Sequence, residues 1–159
     1  MNALRTGRVL LLAFLVVGTL IAWSTVTLGF IRFYRTEGTI LKFTNCAVPN
    51  PLVTPCFYGA LAFLIALVWA AYLASHGTSI GRGYERLWWL LVASTIFGWS
   101  NVVYEFWTWS QSPTRTIVSC SAQPLSSPWQ SPCLHGSTMF LGAWLSVDRI
   151  VRARRRHHD

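Results

Sequence analysis

"PCFYGALAFLIA" at residues 55–66 and "PCLHGSTMFLGA" at residues 132–143 decide how this chain folds. Each opens with proline and cysteine and carries a glycine three positions after the cysteine. Proline suits the first turn of a helix, where its missing N–H would have found no partner. Both phrases therefore read as helix starts. A second pair lies upstream of them: "AWSTVTLGF" at 22–30 matches "GWSNVVYEF" at 98–106, with Trp, Ser, Val and Phe in register. Trp23 and Trp99 are 76 positions apart, Cys56 and Cys133 are 77 apart, and Cys46 and Cys120 are 74 apart. The chain reads as two tandem hairpin repeats, residues 1–80 and 81–159, each a helix, a cysteine-bearing loop and a second helix.

Composition says what surrounds those helices. Of 159 residues, 53% are hydrophobic and only 11% are charged, whereas soluble domains carry roughly 25% charged residues. Apolar stretches at about 9–33, 57–75, 87–109 and 134–151 approach the roughly 20 residues that cross a bilayer core. The fourth carries His135, Ser137, Thr138 and Ser146, and is assigned through its twin at 57–75. Arg5 and Arg8 before "VLLLAFLVVGTLIAW" resemble the start of a signal peptide. The run continues to Phe33 with no small-x-small cleavage site, so a retained helix is expected. The expected fold is all-α: an integral membrane four-helix bundle.

Nine basic residues fall at the N-terminus, the middle loop and the C-terminus, namely Arg5, Arg8, Arg82, Arg86, Arg149, Arg152, Arg154, Arg155 and Arg156. Four fall in the other two loops: Arg32, Arg35, Lys42 and Arg115. The positive-inside rule then puts both termini in the cytoplasm, consistent with a bacterial inner membrane. The net charge of +8 follows from that bias. The tail "RARRRHHD" fits anionic lipid better than nucleic acid. All four cysteines sit in or beside the two external loops, the oxidising side.

Small residues supply a packing code. Gly18, Ala22, Thr25 and Gly29 share one face of the first helix, and Ser94, Gly98, Asn101 and Glu105 are their equivalents in the third. Gly59 with Ala66, and Gly136 with Ala143, are expected to bring the second and fourth helices close. Trp88, Trp89, Trp107 and Trp109 read as interfacial anchors.

The cysteines offer two chemistries. Structural bridges Cys46–Cys56 and Cys120–Cys133 would staple "CAVPNPLVTPC" and "CSAQPLSSPWQSPC", one pair to each repeat. Alternatively the pairs are redox-active, since a cysteine at a helix N-terminus is favoured as thiolate. Here the chain resembles the bacterial disulfide-bond formation protein B and, more distantly, vitamin K epoxide reductases. The likeness lies in four helices, topology and one cysteine pair per external loop. It implies a membrane thiol oxidoreductase passing electrons to a quinone. The chain lacks that family's C-x-x-C motif, and no catalytic role is carried over.

Glu105 is the one acidic residue well inside an apolar span, on the face of Asn101. Such a residue suggests proton transfer or ligand contact; the plainer expectation is a bond to Arg32, Arg115 or His135. His135, two residues after Cys133, lacks the partners and spacing of a metal site, and no metal is expected. With no catalytic constellation evident, the expected function is a structural or accessory subunit of a membrane assembly, non-enzymatic and without cofactor. Its partners would be other membrane subunits or a second copy. The alternative is a quinone-linked thiol–disulfide oxidoreductase.

Overall fold

The first apolar run continues as helix through its charged flanks. In the computed structural model, which describes residues 2–76, 81–113, 117–118 and 124–155, helix α1 spans Asn2–Glu37. Its 36 residues make roughly 54 Å at 1.5 Å per residue, well beyond a hydrocarbon core of roughly 30 Å. Gly38 ends it with a φ of +72°, a conformation in which glycine carries no Cβ penalty, and its N–H donates to the Tyr34 carbonyl at 2.9 Å.

The following loop is tied down by polar contacts. The Ala47 N–H donates to Glu37 Oε1 at 2.5 Å, and Lys42 pairs with the same carboxylate. Asn50 is buried, and its amide donates to the carbonyls of Ile40 at 3.0 Å and Lys42 at 2.8 Å. Helix α2 (Pro55–Ser75) then starts on Pro55 as the repeated phrase requires. Helix α3 spans Gly81–Gln111 and α4 spans Pro132–Arg155. Between these two, strands β1 (Ile117–Val118) and β2 (Pro124–Leu125) form a two-residue antiparallel ladder. At the start of α4 the buried Ser131 accepts the Cys133 N–H on its hydroxyl at 3.1 Å, satisfying a helix-start donor.

The helices close into a ring: α1 packs against α2 and α4, and α3 packs against α4 and, more lightly, α2. Leu11, Leu15, Phe63, Ala66, Ala70, Leu73, Tyr84, Leu87, Leu91, Phe140, Ala143, Val147 and Ile150 fill the centre. Helices α1, α2 and α3 are long and apolar enough to cross a membrane. Their outward faces carry apolar residues such as Leu20, Leu28, Val68, Ile96 and Val103, as expected of helices solvated by lipid. A fourth such span was expected. Helix α4 forms over the expected residues and completes the ring, but does not reach that apolar standard, because Ser137, Thr138, Ser146, Asp148 and Arg149 dilute it.

Glycine acts where the packing code placed it in α1 and α3. A Cβ on Gly18 would lie 2.3 Å from the Phe63 ring, and one on Gly98 would lie 2.6 Å from Ser137 Oγ. The expectation for α2 and α4 needs correcting. A Cβ on Gly59 would meet nothing within 4 Å, and one on Gly136 would meet only Phe63 at 3.9 Å. These two glycines leave space instead of drawing helices together. Gly142, which lies outside the expected packing code, also marks a close approach: a Cβ there would lie 2.6 Å from the Phe14 ring.

Candidate functional site

The two Pro-Cys steps put Cys56 and Cys133 in the first turns of α2 and α4, on opposite corners of the ring. Both side chains turn inward, and their sulfurs lie 3.9 Å apart. A disulfide needs about 2.05 Å, so the two sulfurs touch without being bonded. Seven residues further along each helix, Phe63 and Phe140 stack with ring centroids 3.7 Å apart and planes within 10°. They carry the same 77-residue offset as the cysteines. That shared offset was the signal in the sequence that could have found this contact.

Between the sulfurs and the rings lies a narrow cleft of about 60 Å³, lined among others by Ala22, Thr25, Gly59, Gly98, Asn101 and Gly136. This is room for a few water molecules. The missing Cβ atoms of Gly59 and Gly136 help to create it. Asn101 reaches its edge, but its side-chain amide donates to the Phe97 carbonyl of its own helix at 2.8 Å.

The cysteine states differ from the expected within-loop bridges Cys46–Cys56 and Cys120–Cys133. Cys46 and Cys133 are free thiols, so neither bridge is closed here. Cys56 is disulfide-bonded, and Cys120 lies outside the described residues. Helix geometry explains the difference. Pro55 and Pro132 start helices whose second residue faces the bundle axis. Cys46 meanwhile stays in the loop, where its thiol donates to the Lys42 carbonyl at 3.4 Å.

Glu105 is buried, at 8% exposure, and its Oε2 has no hydrogen-bond partner. Its carboxyl lies beside the Cys133 thiol; Arg115, one of its expected partners, lies outside the described residues. His135 is exposed, and its Nδ1–H donates to the Ser131 carbonyl at 2.9 Å. Among the described residues no group of three or more His, Cys, Asp or Glu is placed to hold a metal. No family model, curated protein or solved structure matches this chain.

Proposed function

We propose that this chain is an integral membrane thiol–disulfide exchange protein whose working pair is Cys56 and Cys133. The observation that carries the reading is the 3.9 Å separation of a free thiol at Cys133 from a disulfide-bonded sulfur at Cys56. In the exchange, the Cys133 thiolate attacks the Cys56 sulfur. A Cys56–Cys133 bond forms, the existing bond to Cys56 breaks, and the departing sulfur leaves with the electron pair as a thiolate. The step is redox-neutral and needs no further oxidant. The same chemistry passes a disulfide to a dithiol outside the chain. No step is assigned to quinone.

The setting of this chemistry belongs to the same proposal. The chain is a duplicated hairpin in a bacterial inner membrane, with both termini cytoplasmic and the basic tail against anionic lipid. The duplication is supported by the two self-facing pairs, Cys56 with Cys133 and Phe63 with Phe140, since equivalent residues meet on a pseudo-two-fold axis.

The test is disulfide transfer from the oxidised full-length protein, in native membranes, to a reduced two-cysteine peptide. Wild type should oxidise the peptide, and Cys56→Ser and Cys133→Ser should each lower the rate at least a hundredfold. Exchange that persists in both variants, or a wild type that transfers nothing, overturns the proposal. The exposed Phe43, Trp107 and Trp129 near the loop end favour a second reading, an accessory subunit of a larger membrane assembly. An inert wild type that copurifies with one membrane partner would make that reading the leading one.

A further inference from the structure

We infer that Glu105 is the proton acceptor for the Cys133 thiol during exchange at the facing cysteines, an assignment that rests on the thiol–disulfide reading above. The thiolate, not the thiol, is the nucleophile, so the Cys133 proton must go somewhere before sulfur attacks sulfur. The helix geometry places one carboxylate to take it.

Gly98 of α3 and Ser137 of α4 are packed against each other and fix the register of the two antiparallel helices. From that contact, Glu105 lies seven residues further along α3, roughly 10.5 Å at 1.5 Å per residue. Cys133 lies four residues back along α4, roughly 6 Å in the same direction. Helical side chains lean toward their own N-terminus, which tilts the Glu105 carboxyl down to the level of the sulfur. The contact between the two side chains follows from this arrangement.

The neighbouring polar groups are committed elsewhere. Ser131 Oγ accepts the Cys133 N–H, Ser137 Oγ donates to the Cys133 carbonyl at 2.7 Å, and the His135 Nδ1–H is held by the Ser131 carbonyl. Glu105 alone keeps a buried oxygen, Oε2, without a partner. A buried unpartnered carboxylate oxygen is a ready proton acceptor; taking the proton of the adjacent thiol moves the negative charge onto Cys133 Sγ, and the attack on Cys56 then passes that charge to the departing sulfur.

The duplication also sets a direction. The α1 position equivalent to Glu105 is Gly29, where a Cβ would reach only Pro51, at 3.7 Å. Cys133 therefore has a carboxylate beside it where the equivalent position near Cys56 has none. This makes Cys133 the attacking sulfur and Cys56 the sulfur attacked. The proton passes from Cys133 Sγ to Glu105, the thiolate displaces the sulfur bonded to Cys56, and the departing thiolate is reprotonated from Glu105 or from cleft water.

The experiment measures disulfide transfer to the two-cysteine peptide by wild type, Glu105→Gln and Glu105→Asp in native membranes. In parallel, bimane cross-linking of reduced Cys56 and Cys133 checks that the sulfurs still face each other. Glu105→Gln should keep the cross-link and slow transfer tenfold or more, and Glu105→Asp should recover part of that loss. Transfer by Glu105→Gln as fast as wild type, or faster, overturns the assignment; a carboxylate that merely repelled the thiolate would give the faster rate. If Glu105→Gln loses the cross-link, the solvent isotope effect on wild type decides. A slower rate in D₂O supports the assignment, and an unchanged rate overturns it. A wild type that transfers no disulfide marks failure of the exchange reading itself, separately from failure of Glu105.

Discussion

The two ends of this helical ring are built from different materials. Where the N-terminus of α1 meets the C-terminus of α4, Leu73, Tyr84, Leu87, Val147 and Ile150 are all at most 1% exposed. There a Cβ on Gly7 would come within 3.0 Å of Ile150. Where α2 and α4 begin, apolar side chains such as Ile21 and Phe97 share the lining of a cleft with Gly59, Gly136, Asn101 and the two sulfurs. Close packing in the first region fixes the helices, and the slack in the second is what the proposed exchange requires. Two sulfurs at 3.9 Å must close by almost 2 Å to bond, and a jigsaw-packed interior resists such motion. One end of the ring is close-packed and the other holds the cleft.

Removing the boundary between the two regions should have the largest effect. Phe63→Ala deletes one ring of the stack and leaves Gly18 facing a void, so a loss of about 3 kcal/mol is expected. That is the lower part of the range for buried Phe→Ala, because lipid-embedded helices gain no hydrophobic transfer term from one another. Thermal unfolding in detergent measures it, and an unchanged midpoint would show that the stack holds nothing together.

Gly18→Ala and Gly59→Ala sharpen the contrast with one methyl each. The first drives a Cβ into the Phe63 ring at 2.3 Å, and the second meets open space. Overpacking should cost about 1–3 kcal/mol at Gly18, while Gly59→Ala should stay within about 0.5 kcal/mol of wild type. Equal effects would erase the distinction between a packing glycine and a space-leaving one.

The smallest effect concerns the loop after α1. The hydrogen bond from Lys42 to the Glu37 carboxylate holds the ammonium above its ordinary value of 10.5. The contribution of this ion pair to loop order is therefore complete at neutral pH; on the alkaline side it is lost as pH rises through that elevated value. Titration of Lys42 by NMR should give a midpoint above 10.5 in wild type and a lower one in Glu37→Gln. Identical midpoints would mean that the pair does not persist in solution.

The helices themselves were legible because apolar run length and proline position act locally. Pro55 and Pro132 mark the starts of α2 and α4 directly. The ends of α1 were not legible: the apolar run stops near Phe33, whereas the helix continues to Glu37 until Gly38 turns the chain. The site was legible as a set of residues but not as contacts. Cys56, Cys133 and Glu105 all stand out in the sequence, yet their meeting depends on the rotation of α2 and α4 about their axes. Pairing each cysteine with its loop neighbour follows sequence distance, while the bundle axis brings together residues 77 positions apart. Gly59 and Gly136 misled for a related reason, since a small residue at helical spacing marks close approach and empty space alike.

The Phe63–Phe140 stack also acts as a seal. Around and beyond it, toward the far end of the bundle, lie Ala66, Ala143, Leu15 and Leu91, all fully buried. The hydroxyls of Thr95 and Ser146 in that region donate to the carbonyls of Leu91 and Gly142 in their own helices. Under the proposed exchange, a proton released beside the sulfurs meets this apolar layer on one side and the cleft on the other, so its easier exit is back through the cleft. Sulfur chemistry at this site would then be electrically silent across the bilayer, neither drawing on the membrane potential nor leaking it.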